Sequence, residues 1–343
     1  MNVEEIKWKY GDDVRYAYAM GVIRVRETQL LTRDRIDRAA DAFDAEEVLR
    51  ILAETIYSDY LSGLTGPEEY ESFLEEEHQK TLNLLRELSR DPRLTDIFFR
   101  RFDFHNLKVA VKERFVKQEL TAAYVPSGSI PVEILKTAVT EEDFSKLPSW
   151  LGQIAEQTIR KFSERQDPKW IDISIDKEMF HDLLRTSREE GNLFIHNLVQ
   201  REIDVINILS LFRIRWSGQE RGLFLESFIS GGRLSLQFLL ELFDDPFESL
   251  PGLFAHTPYR DLVEEGWEFL HTNGSFVVFE RMGRDLVLTY VREANLIAFG
   301  IEPLVAYVHA KENELRMIRT IIIGKLNNLH PNMIKESLPR VYL

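Results

Sequence analysis

The sequence predicts an all-α protein, and three observations carry that prediction. Glycine and proline are scarce, 17 and 12 among 343 residues, so long stretches run without a breaker. Through those stretches apolar residues recur three and four apart, the period of a helix with one buried face. The alternation that marks a strand is convincing only around Ser275 to Glu280, which is where any strand is expected.

Helix boundaries follow from the breakers. They cluster at Leu64-Thr-Gly-Pro67, Val125-Pro-Ser-Gly-Ser-Ile-Pro131, Asp167-Pro168, Ser230-Gly-Gly232, Asp244-Asp-Pro246, His256-Thr-Pro258, Asn273-Gly274 and Asn328 to Pro331, and they cut the chain into many helices. Thr65-Gly-Pro-Glu68 has the form of a capping box with proline in the first turn. The acidic run Glu68 to Glu77 that follows is therefore read as a solvated helix start rather than a binding tail.

Internal repetition organises these helices. Asp13-Val-Arg-Tyr16, Asp103-Phe-His-Asn106, Asp204-Val-Ile-Asn207 and Glu314-Leu-Arg-Met317 each open on an acid. One, four, eight and twelve residues later stand Val14, Ala17, Gly21 and Val25; Phe104, Leu107, Val111 and Phe115; Val205, Ile208, Phe212 and Trp216; and Leu315, Ile318, Ile322 and Leu326. Each set is one helical stripe, expected to be buried. Eleven residues after each acid comes a base: Arg24, Arg114, Arg215 and Lys325.

Successive copies start 90, 101 and 110 residues apart. A second helix follows each, opening at Gly128-Ser-Ile-Pro, Gly232-Arg-Leu-Ser and Asn327-Asn-Leu-His, with Gln29-Leu-Leu-Thr as a worn first copy. Glycine and asparagine there suit the left-handed conformation between two helices. A third shared piece is Leu52-Ala-Glu-Thr-Ile-Tyr57, Ile154-Ala-Glu-Gln-Thr-Ile159 and Phe254-Ala-His-Thr-Pro-Tyr259. The expected organisation is three pseudo-equivalent helical domains, residues 1–98, 99–200 and 201–343, the last carrying a C-terminal half-repeat that packs against the first. A period near a hundred makes each unit a small domain rather than a solenoid element, and three such domains can close around an axis.

Composition excludes several function classes. With 44% hydrophobic and 29% charged residues the chain is that of a folded globular protein. Its 43 basic against 57 acidic residues give a net charge of −14, which opposes nucleic acid or an anionic lipid surface as main partner. The absence of cysteine removes disulfides, thiol catalysis and thiolate metal sites and fits a cytoplasmic protein. No apolar run, Met317 to Gly324 included, approaches the ~20 residues that span a bilayer. The opening Met1-Asn-Val-Glu-Glu lacks the order of a secretory signal and neither end carries a lipidation motif, so any membrane association is expected through protein partners.

The stretch from Gly300 to Asn328, Gly-Ile-Glu-Pro-Leu-Val-Ala-Tyr-Val-His-Ala-Lys-Glu-Asn-Glu-Leu-Arg-Met and onward, together with Tyr16-Ala-Tyr-Ala-Met-Gly-Val-Ile-Arg-Val-Arg-Glu27, strongly resembles the C-type subunits of archaeal and bacterial V-type (A-type) ATPases, equivalent to the d-type subunits of the vacuolar enzyme. The resemblance spans the whole chain. Its motifs include Asp-x-x-Asn heading the later helices, Gly231-Gly232 and the Lys-Glu-x-Glu of the closing helix. It implies an all-helical funnel of three pseudo-equivalent domains around a pseudo-threefold axis. That funnel would sit on the cytoplasmic face of the membrane proteolipid ring, receive the foot of the central rotor shaft (D- and F-type subunits) and transmit torque for ion transport coupled to ATP synthesis or hydrolysis. Met317 stands where the repeat carries asparagine, and Phe276 to Glu293 reads as an insertion with strand-like character.

No catalytic, cofactor or metal residue is expected, and no direct small-molecule substrate. The phosphate loop Gly-x-x-x-x-Gly-Lys-Ser/Thr is absent, and no two of the eight histidines fall three to five apart as a helix-borne metal pair requires. The alternative is an all-α, magnesium-dependent enzyme of the isoprenoid type, for which Asp244-Asp-Pro-Phe-Glu248 is the candidate acidic cluster; the proline within it argues for a helix stop. Ser230-Gly-Gly232 is read as a helix joint rather than an anion nest. The bases beside the stripes are expected to pair with a carboxylate, the acid heading the next repeat being a candidate. In a funnel Arg114, Arg213, Arg215 and Lys325 would converge, and with Gly231 and Gly232 they are the candidate partner-binding residues.

Overall fold

The computed structural model describes residues 12–116 and 120–342; the Met1-Asn-Val-Glu-Glu opening lies outside them. All regular structure among the described residues is helical, with no strand. The first five α-helices are α1 (Ala17–Glu27), α2 (Arg33–Asp41), α3 (Ala45–Leu52), α4 (Ser58–Leu61) and α5 (Tyr70–Leu88). Then come α6 (Pro92–Val116), α7 (Val132–Glu141), α8 (Ser149–Arg165), α9 (Lys169–Glu189), α10 (Leu193–Trp216), α11 (Arg221–Ser227) and α12 (Leu236–Asp244). The last are α13 (Leu250–Leu253), α14 (Arg260–Asn273), α15 (Val277–Val291), α16 (Ile301–Leu326) and α17 (Pro331–Ser337).

The chain forms two compact units, residues 91–244 and residues 12–90 with 245–342. In the 91–244 unit α9 lies between α6 and α8 and continues onto α10, while α7 covers α6 and α11 and α12 cover α10. Phe104, Leu107, Val111, Leu135, Leu151 and Ile175 form one of its cores. In the other unit α16 is central, packed on α1, α2, α3 and α5 and buried on most of its circumference. Ile36, Val48, Tyr57, Phe73, Ile318, Ile322 and Ile334 share its core. No helix among the described residues is long and apolar enough to cross a membrane.

Caps explain several boundaries. Asp44 and Asn192 accept the N–H groups of Glu47 and Ile195 at 2.8 Å, satisfying first-turn donors that no helix can pair internally. Gly274, at φ 65°, ends α14 in the left-handed region. The capping box is shifted by one residue from its expected place. Glu69, not Glu68, reaches back to the Thr65 N–H at 3.0 Å and hydroxyl at 2.7 Å, because Pro67 starts a 3-10 turn before α5.

Three expectations need correction. Ser275 to Glu280 is not a strand: its residues lead into α15, where Val278, Phe279, Met282, Gly283 and Leu288 are buried at helical spacing. Six residues are too few to tell alternation from a helix start, and the full run 276–293 carries the helical period. The first stripe is not buried: Val14, Ala17, Gly21 and Val25 are exposed, and the buried residues are instead Tyr16, in the 3-10 turn before α1, and Ala19, Met20 and Ile23 of α1. The third shared piece has the same conformation in only two copies. Thr55 and Thr257 each turn a hydroxyl onto a carbonyl three residues back and accept the N–H of buried Tyr57 and Tyr259, whereas Ile154 to Ile159 lies inside α8.

Candidate partner-binding site

The Asp-x-x-Asn pattern is a clamp between two helices. Asn106 exchanges two hydrogen bonds with the backbone of Val125, at 2.8 and 2.9 Å, and Asn207 does the same with Ile229 at the same distances. One turn earlier, Asp103 accepts the Ile130 N–H at 2.9 Å, and Asp204 accepts those of Arg233 and Leu234 at 3.0 Å. Each clamp thus pairs backbone groups of the connection that would otherwise be buried unmet. All four side chains are fully buried. Gly128 and Gly232 are required for proximity, not for a left-handed backbone: a Cβ at either would collide with the carboxylate oxygen of Asp103 or Asp204. Gly231 does adopt φ 97° and accepts from the Gln200 amide at 3.0 Å.

The two aspartates differ. Asp204 accepts with both oxygens, whereas the second oxygen of Asp103 is buried without a partner. Burial pushes the Asp103 carboxyl up to about 6, against the pull of the Ile130 and Ser129 N–H groups.

The recurring bases do not pair with the acid heading the next repeat. Arg114 donates to the Val139 carbonyl at 2.5 Å and pairs with Glu142; Arg215 donates to the Leu242 carbonyl at 2.7 Å. Both carbonyls sit third from the end of the second helix, α7 or α12, where carbonyls lack intrahelical donors and the helix dipole attracts a cation. The guanidinium of each also lies over a ring, Phe115 at 5.7 Å and Phe243 at 5.6 Å. Arg213 shares the last turn of α10 with Arg215 and is exposed. Lys325, in the other unit, is buried; burial pushes its ammonium down while Asp41 and Glu47 oppose the shift. Asp244, of the candidate acidic cluster, ends α12 and pairs with Arg221 at 3.2 Å.

In the unit built on α16, the fourth acid repeats the clamp by different means. Glu314 accepts the Leu31 N–H, two residues past Gln29 just as Ile130 and Leu234 are two past their glycines. Its other oxygen accepts from the Tyr57 hydroxyl at 2.6 Å and from Lys311 at 2.7 Å. Lys311, with no exposure, also pairs with Glu77 at 3.3 Å, and Glu77 accepts from the Tyr60 hydroxyl at 2.6 Å. Burial alone would lower the lysine, but Glu314, Tyr307 and Glu77 together raise it, so it is charged. The signal for this cluster was present in sequence as the Lys-Glu-x-Glu of the closing helix, which sets Lys311 three residues before Glu314.

Beside the cluster opens a cavity of about 490 Å³ lined by residues of α1, α5, α16 and the α3–α4 region, Tyr307 and Glu77 among them. The outward face of α1 is a second unassigned surface. Val14 and Tyr18 are 72% exposed and Val25 61%, and Arg24 holds the adjoining segment through the Ile297 carbonyl at 3.3 Å.

Comparison with known proteins agrees with this architecture. The profile of the family described as ATP synthase (C/AC39) subunit matches residues 19–337. The C subunit of the V-type sodium ATPase of Enterococcus hirae is 26% identical over 323 residues, 94% of this chain and 97% of that one. The C subunit of the A-type ATP synthase of Methanocaldococcus jannaschii is 24% identical over 94% of this chain and 86% of its own. The C subunit of the V-type ATP synthase of Thermus thermophilus is 24% identical over 81% and 89%. The match runs through every clamp described above, and the chain belongs to the ATP synthase (C/AC39) subunit family, as a non-catalytic component of a rotary ATPase.

Proposed function

We propose that this chain is the central-stalk component that links the rotor shaft, built of D- and F-type subunits, to the membrane proteolipid ring. It carries torque between them from the cytoplasmic side, held at the membrane by its partners. The single observation behind this reading is the family match over residues 19–337. The exposed apolar face of α1 supports it, since apolar surface of this kind on a helix fits a protein partner. We further propose that residues 1–98, 99–200 and 201–343 are pseudo-equivalent domains arranged as a funnel, with the C-terminal half-repeat on the first. The support is the clamp shared by Asp103, Asp204 and Glu314, the last reaching Leu31 in the first segment.

Copurification tests the linkage. A tagged full chain expressed with the complex should recover both the shaft proteins and the proteolipid ring. Recovery of neither, or of catalytic components alone, overturns it. A structure of the assembled complex in which α6, α10 and α16 do not share one axis overturns the funnel.

A further inference from the structure

The face where α15 meets α16 holds two arginines that find no counter-ion among the described residues. The backbone of Arg340 ties the two helices together there. Its N–H donates to Asp285 Oδ1 at 2.6 Å, and its carbonyl accepts from the Asn313 amide at 2.9 Å. Arg284, next to Asp285 on α15, is thereby brought within electrostatic reach of Arg316, one turn after Asn313 on α16. Arg284 is half-buried, and its Nε is buried without a hydrogen-bond partner. Arg316 is exposed and makes no hydrogen bond or ion pair with any described residue. Acids are close to both but do not reach them. Glu280 and Asp285 lie near Arg284 without coming into ion-pair distance, and Glu312, a turn before Arg316, faces His78 at 3.5 Å. By contrast Arg281, a turn before Arg284, does reach an acid, Glu265 at 3.5 Å. Burial pushes the Arg284 guanidinium down and the charge of Arg316 pushes the same way, with Glu280 and Asp285 offsetting part of the shift. Two like charges, one of them partly desolvated and with an unmet donor, cost free energy that an anion between them would remove.

We propose that Arg284 and Arg316 form a binding site for a small oxyanion of the phosphate class. Arg284 donates from its unmet Nε on the protein side, and Arg316 closes on the anion from the solvent side, where it enters. An oxyanion accepts at several oxygens at once, which suits two planar guanidiniums, whereas a monatomic anion offers no such match.

Inorganic phosphate is the probe, titrated into the full chain by calorimetry, with sodium chloride at matched ionic strength as the control and melting as a second readout. Phosphate is expected to bind saturably and to raise the melting temperature more than chloride does. Arg316→Gln, at an exposed position where folding is preserved, should weaken phosphate by about tenfold. In phosphate-free buffer the same variant should leave melting unchanged or raise it, since it relieves the repulsion on Arg284; an arginine with a purely structural role would lower it. Arg284→Lys keeps the charge but loses the planar fork and should weaken phosphate as well. Absent saturable phosphate binding, a chloride effect as large as that of phosphate, unchanged affinity in Arg316→Gln, or a lower melting temperature of that variant without phosphate overturns the proposal.

Discussion

Two regions meet the same backbone problem with different chemistry. In the 91–244 unit a short acid, Asp103 or Asp204, comes so close to the connection that only glycine fits opposite, at 128 and 232. On α16 the acid is Glu314, one methylene longer, and Gln29 occupies the glycine position while the Leu31 N–H is still met. The longer reach frees the connection from glycine but leaves a carboxylate deep in an apolar helix. Lys311, buried beside it, supplies the compensating charge. A clamp can therefore be specified by backbone fit or by buried charge, and the two should fail differently.

The largest expected effect falls on the charged version. Lys311→Met would strand Glu314 and Glu77 without their cation, and stranding one partner of a buried pair costs about 3–5 kcal/mol. Urea denaturation of the full chain measures this; a loss below about 1 kcal/mol would mean that water reaches the cluster. On the glycine version, Gly232→Ala drives a Cβ into Asp204 and is expected to lose about 1–3 kcal/mol, whereas Gln29→Ala should stay within about 0.5 kcal/mol. Equal losses at both would erase the distinction.

The aspartate pair sharpens the comparison further. Asp103, with its carboxyl pushed up to about 6, binds its proton more tightly folded than unfolded, where an aspartate titrates near 4. Its contribution therefore falls as pH rises from about 4 to about 6 and is constant above, a span of up to about 3 kcal/mol. Asp103→Asn keeps an acceptor for Ile130 and should flatten that slope while raising stability at pH 8. Asp204→Asn, which loses one of two matched acceptor oxygens, should lower stability at pH 8. Melting curves from pH 4 to 8 check both, and the same sign for both variants would contradict the difference drawn between them.

Helix content and joints were legible because breakers act locally: the Asp167-Pro168, Asp244-Asp-Pro246 and Asn273-Gly274 breaks all fall where one helix ends and before the next begins. The clamp was legible as a pattern, acid then amide three residues on, but not as a mechanism, since its partners at Val125 and Ile229 are about twenty residues away. The α1 stripe misled because apolar spacing identifies a face and not what covers it; the face of α1 that is buried runs through Ala19, Met20 and Ile23. Lys311 and the cavity beside it were hidden because their members come from positions near 26, 57, 77 and 307, brought together only by folding.

The smallest expected effect separates two arginines of one helical turn, Arg213 and Arg215. Arg215 caps the α12 carbonyl of Leu242 at 2.7 Å and covers the Phe243 ring, so Arg215→Ala should lower stability by about 1 kcal/mol. Arg213, exposed on the same turn, has a surface position where substitution stays within about 0.5 kcal/mol. If the last turn of α10 meets the rotor shaft, Arg213→Ala should weaken shaft pull-down with melting unchanged, while Arg215→Ala lowers melting first and binding only through it. Retained shaft binding by Arg213→Ala would remove this turn from the interface and leave the outward face of α1, through Val14, Tyr18 and Val25, as the surface to probe with glutamate substitutions.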